Sequence, residues 1–129
     1  MIAMQNPHTI NADLHCHSTV SDGMLAPRDV AARAHAGGVA VMAHPGRYNY
    51  TATQHDALFD EFTQLGGRAV EVVTGSHTPD QFRRYADVAR HYGLMASRGS
   101  DFHGPGEGRV DIGTLPPLPS DVTPVWHDW

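Results

Sequence analysis

His15 and His17, in the stretch Asp13-Leu14-His15-Cys16-His17, stand two residues apart. On an extended backbone that spacing puts both imidazoles on one side, where they can grip a single metal ion. It sends Cys16 to the other side, as a small core residue. Asp22, a loop further on and just before Gly23, is either another oxygen ligand or a turn residue. Asp101 and His103 repeat the two-residue spacing towards the other end of the chain. Carboxylate and imidazole together make a donor set that suits Zn, Mn or Fe and not a thiolate-type structural site. His44 follows an apolar run and precedes Pro45-Gly46-Arg47-Tyr48. A lone His in such a place is more often a core or capped residue, but a strand end and a fixed turn make it a further ligand candidate. Arg47 is either a surface residue or the group that grips a phosphate with two parallel hydrogen bonds, and Tyr48 stands beside it. Glu71 sits mid-strand and His77 in the loop after it. Either lines the site, and a solvated loop position is an equal reading for His77. Ser100 reads as hydrogen-bonding support and not as a nucleophile. A divalent ion in such a cluster would lower the pKa of bound water and neutralise a phosphoryl oxygen. Arg47 would stabilise the charge that develops on transfer.

These groups need elements to position them. Thr9 to Leu14 is a short bounded run, a first strand, with Met1 to His8 expected as a frayed leader. Pro27 opens a helix in whose first turn Asp29 is favoured, and Gly37-Gly38 stops it. Val39 to Ala43 is continuously apolar, as in a parallel strand covered on both faces, and delivers His44. Thr53 to Leu65 carries Ala57, Leu58, Glu61, Phe62 and Leu65, mostly apolar, at helical spacing. Ala69 to Val73 is a third strand. Thr78-Pro79 caps and opens a helix whose stripe is Phe82, Tyr85, Ala86 and Ala89, closed by Gly93. Leu94 to Ser97 is a fourth strand, ending at Asp101 and His103. A weak strand near Val110 to Ile112 and an irregular tail to Trp129 complete the chain. Alternating strands and helices argue an α/β fold, about four parallel strands with three helices, and put each ligand just past a strand's C-terminal end.

The chain has 129 residues, enough for one domain. Its net charge of −5 disfavours a broad basic face for nucleic acid. No run of 18 apolar residues exists, so no membrane span is expected, and Met1 to Pro7 lacks the layout of a signal peptide. The lone Cys16 forms no internal disulfide and fits a reducing cytoplasm. Ten histidines against nine Lys plus Arg is the compositional oddity, and His is the commonest metal ligand. His8, His35, His55, His91 and His127 fall on expected helices or tails and read as surface.

The stretches DLHCHSTVSDG (Asp13 to Gly23), AHPGRY (Ala43 to Tyr48), EVVTGSH (Glu71 to His77) and GSDFHGPGE (Gly99 to Glu107) resemble the PHP family, named for polymerase and histidinol phosphatase. The branch they are most similar to comprises phosphoesterases of nucleoside 3′,5′-bisphosphates and short oligoribonucleotides. The resemblance implies a distorted TIM-like βα barrel and divalent metal ions, one to three, of Mn, Zn or Fe. It implies His15, His17 and Asp101 on one metal, His44 on a second, and Asp22 and His103 on a third. Asp101, His103 and Arg47 would be catalytic, with Arg47, Tyr48 and His77 against a small phosphorylated substrate, a nucleotide. The family's T-D-H-D strand end, its bridging Glu and a further ligand His have no counterpart here. Ala31 to Ala34 runs almost directly into the segment that precedes H-P-G, as though an internal block were missing. The expected architecture is therefore a shortened PHP domain over residues 1–129. Its leader is 1–8, its βα core 9–108 and its tail 109–129. Exposed sheet edges would invite pairing with another copy. Two readings follow: a metal-dependent phosphoesterase, or an impaired remnant that binds metal or phosphate or needs a partner chain.

Overall fold

The computed structural model describes residues 2–6, 9–13 and 24–128. The chain divides into two compact units, one of Met1–Val41 with Tyr50–Arg68, the other of Met42–Asn49 with Ala69–Trp129.

In the first unit, strand β1 (Ile2–Asn6) pairs antiparallel with β2 (Thr9–Asp13). On its other edge β1 pairs antiparallel with β3 (Val39–Met42) through Ile2 opposite Ala40. Within the frayed leader expected over 1–8, Ile2–Asn6 is instead a strand, and the opening strands are antiparallel where parallel ones were expected. The reason is connectivity. Asn6 lies opposite Thr9, three positions on in sequence, too near for the long crossover that a parallel return needs. Helix α1 spans Pro27–Gly37, with Asp29 in its first turn. Helix α2 spans Ala52–Gln64. Thr51 and Gln54 form a reciprocal capping box at its start, satisfying two backbone N–H groups that the helix leaves open. The buried face of α2 is His55, Phe59 and Phe62. The expected stripe misses two of these: Ala57 is exposed and Phe59 fully buried. His55, expected on the surface, is buried and its ring sits 4.8 Å from that of Phe59.

The second unit is built on a βαβ unit. Strand β4 (Ala69–Thr74) is buried at every position and pairs parallel with β5 (Met95–Gly99). Helix α3 (Pro79–Tyr92) makes the crossover, packed on both strands. Its limits are set locally, by a Thr78–Gln81 capping box and by Gly93 in the left-handed conformation that glycine adopts without strain. Tyr85, Ala86 and Ala89 bury its apolar stripe. The β4–β5 register slips between Glu71 and Val73, leaving Val72 without a partner residue on β5.

No strand forms near Val110 to Ile112, where Asp111 and Thr114 close a turn instead. The tail is less irregular than expected. Pro124 bridges to Ala96, whose N–H and C=O both bond the tail backbone at 2.8 Å, and Val122 and Val125 are buried. Among the described residues no helix is long and apolar enough to cross a membrane.

Candidate active site

All the site residues that the structure describes lie in the second unit. Pro45–Arg47 is a single 3-10 turn, closed by Arg47 N–H to His44 O at 3.0 Å and Tyr48 N–H to Pro45 O at 3.1 Å. Pro45 at its first position needs no N–H partner. His44, just before it, has φ 29° and ψ 57°. Positive φ crowds the Cβ of any residue but glycine. Among the described residues only His44 and Asp101, at φ 54°, are non-glycine residues with positive φ. Both are expected metal ligands, and backbone strain concentrates where function over-determines geometry.

Glu71 explains part of the His44 conformation. Its carboxylate accepts the His44 N–H at 2.8 Å. Burial pushes its carboxyl from the ordinary 4.5 up to about 7, opposed by that hydrogen bond and reinforced by the negative charge of Asp101. Glu71 thus lines the site, one of the positions the sequence left open.

His77 is buried and spoken for on both sides. Nδ1–H donates to Val72 O at 3.0 Å, the residue skipped by the β4–β5 register. Nε2 accepts the Gly46 N–H at 2.9 Å. An imidazole that donates from one nitrogen and accepts at the other is neutral and held in one tautomer. Burial lowers its pKa. The ring also stacks on Tyr85, centroids 4.8 Å apart. The expected substrate contact is corrected accordingly: His77 has no ring nitrogen left to offer a substrate, because the backbone of Val72 and Gly46 takes both.

Tyr48 likewise turns inward. Its hydroxyl donates to Ala43 O at 3.0 Å and its ring meets that of His44 edge-on at 6.3 Å. Arg47 points the other way: its side chain is 59% exposed, and Nη1 stands 3.8 Å from Asp101 Oδ2. The Asp101 carboxylate, half-buried, accepts from the Ser76 hydroxyl. His103 Nδ1–H donates to the Asp101 backbone carbonyl at 2.7 Å, so in the neutral ring Nε2 carries the lone pair. The structure therefore gathers His44, Arg47, Glu71, Asp101 and His103 at one locality, with Ser76 in place of Ser100 as the hydroxyl donor to Asp101. Ser76 and Gln81, whose amide donates to Gly46 O at 3.1 Å, escaped the sequence reading. The only hint was their nearness to His77 and to a helix cap.

His15, His17 and Asp22 lie outside the described residues. Among those described, no group of three or more His, Cys, Asp or Glu is arranged to hold a metal ion. The described donors alone do not make a metal cage.

No family model matches the chain. Curated relatives do. The 3′,5′-nucleoside bisphosphate phosphatase of Chromobacterium violaceum is 46% identical over 93 residues, 72% of this chain and 33% of that protein. The 5′–3′ exoribonuclease Rnm of Escherichia coli is 41% identical over 95 residues, 74% of this chain and 32% of that enzyme. The chain is a relative of the PHP-family phosphoesterases. It spans about one third of the length of these curated relatives. An amidohydrolase from C. violaceum, solved with sulfate bound, matches 84% of the chain and 37% of its own, with a TM-score of 0.73 and 39% identity. A Bifidobacterium adolescentis protein assigned as a metal-dependent phosphoesterase matches 85% of the chain and 38% of its own, with a TM-score of 0.56 and 25% identity. Among the described residues this PHP relative thus has an α/β fold with three α-helices, and parallel pairing in its second unit.

Proposed function

We propose that the chain is a metal-dependent phosphoesterase that hydrolyses phosphate esters of nucleotides, of the 3′,5′-bisphosphate or short-oligonucleotide type. The observation that carries the reading is the placement of an exposed guanidinium, Arg47, beside a carboxylate that Ser76 holds in place and at the foot of the His44 turn. The curated relatives' names and the sulfate held by the C. violaceum amidohydrolase agree with a phosphate ester as ligand.

Each residue then has a task that its own contacts support. Arg47 would grip the phosphate by paired hydrogen bonds and stabilise its developing charge. Asp101, oriented by Ser76, and His103, which gives Nδ1–H to a backbone carbonyl, would present an oxygen and Nε2 as ligands. His44 would be a third ligand, with His15, His17 and Asp22 completing the set. A divalent ion bound by these residues would lower the pKa of a water and offset phosphoryl charge.

The test is phosphate release from a nucleoside 3′,5′-bisphosphate with added Mn. Arg47→Ala should raise KM on the order of tenfold or more and lower kcat. Asp101→Asn should remove activity at least a hundredfold with the fold intact by circular dichroism. No release above background by the unmodified chain, with Mn bound in calorimetry, would favour the impaired remnant. No release and no binding would sink the reading.

A further inference from the structure

The turn His44-Pro45-Gly46-Arg47 is held from three directions by side chains of one βαβ unit. Glu71 on β4 takes the His44 N–H at 2.8 Å. His77, in the loop after β4, takes the Gly46 N–H at 2.9 Å. Gln81 on α3 donates to Gly46 O at 3.1 Å. We infer that Glu71, His77 and Gln81 are positioning residues that clamp this turn, fixing the backbone from which His44 and Arg47 project. The inference rests on the functional reading above for what His44 and Arg47 do, but the clamp itself is a separate structural claim.

The clamp is specific to this turn. Both polar groups of Gly46 are tied to side chains at once, one from the loop and one from the helix. The approach is close enough that a Cβ on Gly46 would fall 2.7 Å from His77 Cδ2 and 2.8 Å from Gln81 Nε2. Those are distances no side chain tolerates without displacing its neighbour. Gln81 works at both ends: Oε1 accepts the Thr78 N–H in the α3 capping box at 2.8 Å while Nε2 holds the turn. His77 is itself anchored, by Val72 O at one nitrogen and by the Tyr85 ring beneath it. The turn is therefore referenced to the buried strand and helix, the rigid part of the unit, and that is how a ligand or phosphate group is kept from drifting.

The double role of Gln81 yields a clean variant. Gln81→Glu keeps an acceptor for Thr78 N–H, and with it the helix cap, but has no donor for Gly46 O. Its apo melting temperature should stay within a few degrees of wild type. By hydrogen exchange on the metal-free protein, the Gly46 amide should open about tenfold faster while the amides of α3 stay unchanged. Affinity for inorganic phosphate, read by calorimetry, should fall about tenfold, and KM should rise more than kcat falls. Glu71→Ala should open the His44 amide, and Glu71→Gln, which still offers an acceptor oxygen, should restore its protection.

Wild-type exchange at Gly46 in Gln81→Glu would overturn the inference whatever the activity. So would faster exchange with phosphate affinity unchanged, because the contacts would then hold the turn without positioning anything. A wild-type chain that binds neither phosphate nor Mn would defeat the functional reading instead, and exchange at Gly46 and His44 would still decide the clamp.

Discussion

The turn that carries His44 and the turn that carries Asp101 both put a non-glycine residue at positive φ, 29° and 54° respectively. Their surroundings differ. The His44 turn is packed on buried groups: Glu71 and His77 are each 7% exposed, and His77 stacks on the fully buried Tyr85. The Asp101 turn is held by polar contacts to more exposed partners, through Ser76, through His103 at 63% side-chain exposure, and near Arg47 at 59%. Desolvated hydrogen bonds gain little over water when made but are expensive when broken. The first turn is therefore expected to be the more rigid of the two.

The largest effect that would test this contrast is Tyr85→Ala. Removing the buried ring beneath His77 should cost about 3–5 kcal/mol in denaturant unfolding. The His44 and Gly46 amides should lose protection ahead of those around Asp101. Equal loss at both turns would erase the difference between them.

A second, smaller effect is pH dependence. Glu71 has a folded pKa of about 7, above its ordinary 4.5, because of burial first and the charge of Asp101 next. It binds a proton more readily folded than unfolded, so its contribution is complete below about 4.5 and is lost as pH rises through 7. The full shift corresponds to about 3 kcal/mol. His77 works with the opposite sign. Burial lowers its pKa, so the fold favours the neutral ring and loses stability as pH falls below the ordinary value of 6.5. Glu71→Gln should remove the decline in metal-free melting temperature between pH 5 and 7 and leave the acid-side loss due to His77. A melting curve of unchanged slope in that variant would show that another group titrates there.

The smallest effect belongs to the rim. Ser76→Ala removes one hydrogen bond to a half-buried carboxylate and should cost about 1.5–2 kcal/mol in stability. Its mark should fall on Asp101, as weaker Mn binding by calorimetry. A loss as large as that of Tyr85→Ala would mean the Asp101 turn is no less rigid than its counterpart.

Much of the scaffold was legible because its signals are local. Thr78, Pro79 and Gly93 announced the limits of α3, and the run Ala69 to Val73 announced a strand, each from interactions within a few residues. The burial of Phe59 in place of Ala57 was missed because the α2 pattern fits two faces one residue apart, and packing chooses between them. Strand β1 was missed because its pairing, not its composition, makes it a strand. The types of the site residues were readable too: His44, Asp101, His103 and Arg47 do converge on one unit.

The order of residues by itself determined which chemical groups the site owns and where its helices start and stop, since caps, prolines and glycines act through neighbouring backbone. Only the tertiary structure decided which imidazole nitrogens the backbone takes up. His77 and His44 look alike in sequence, but His77 meets Gly46, 31 residues away, and spends both nitrogens on backbone. A hydrogen bond has one donor and one acceptor, so a ring committed in that way cannot also be a ligand, and no pattern of residues along the chain reveals the commitment.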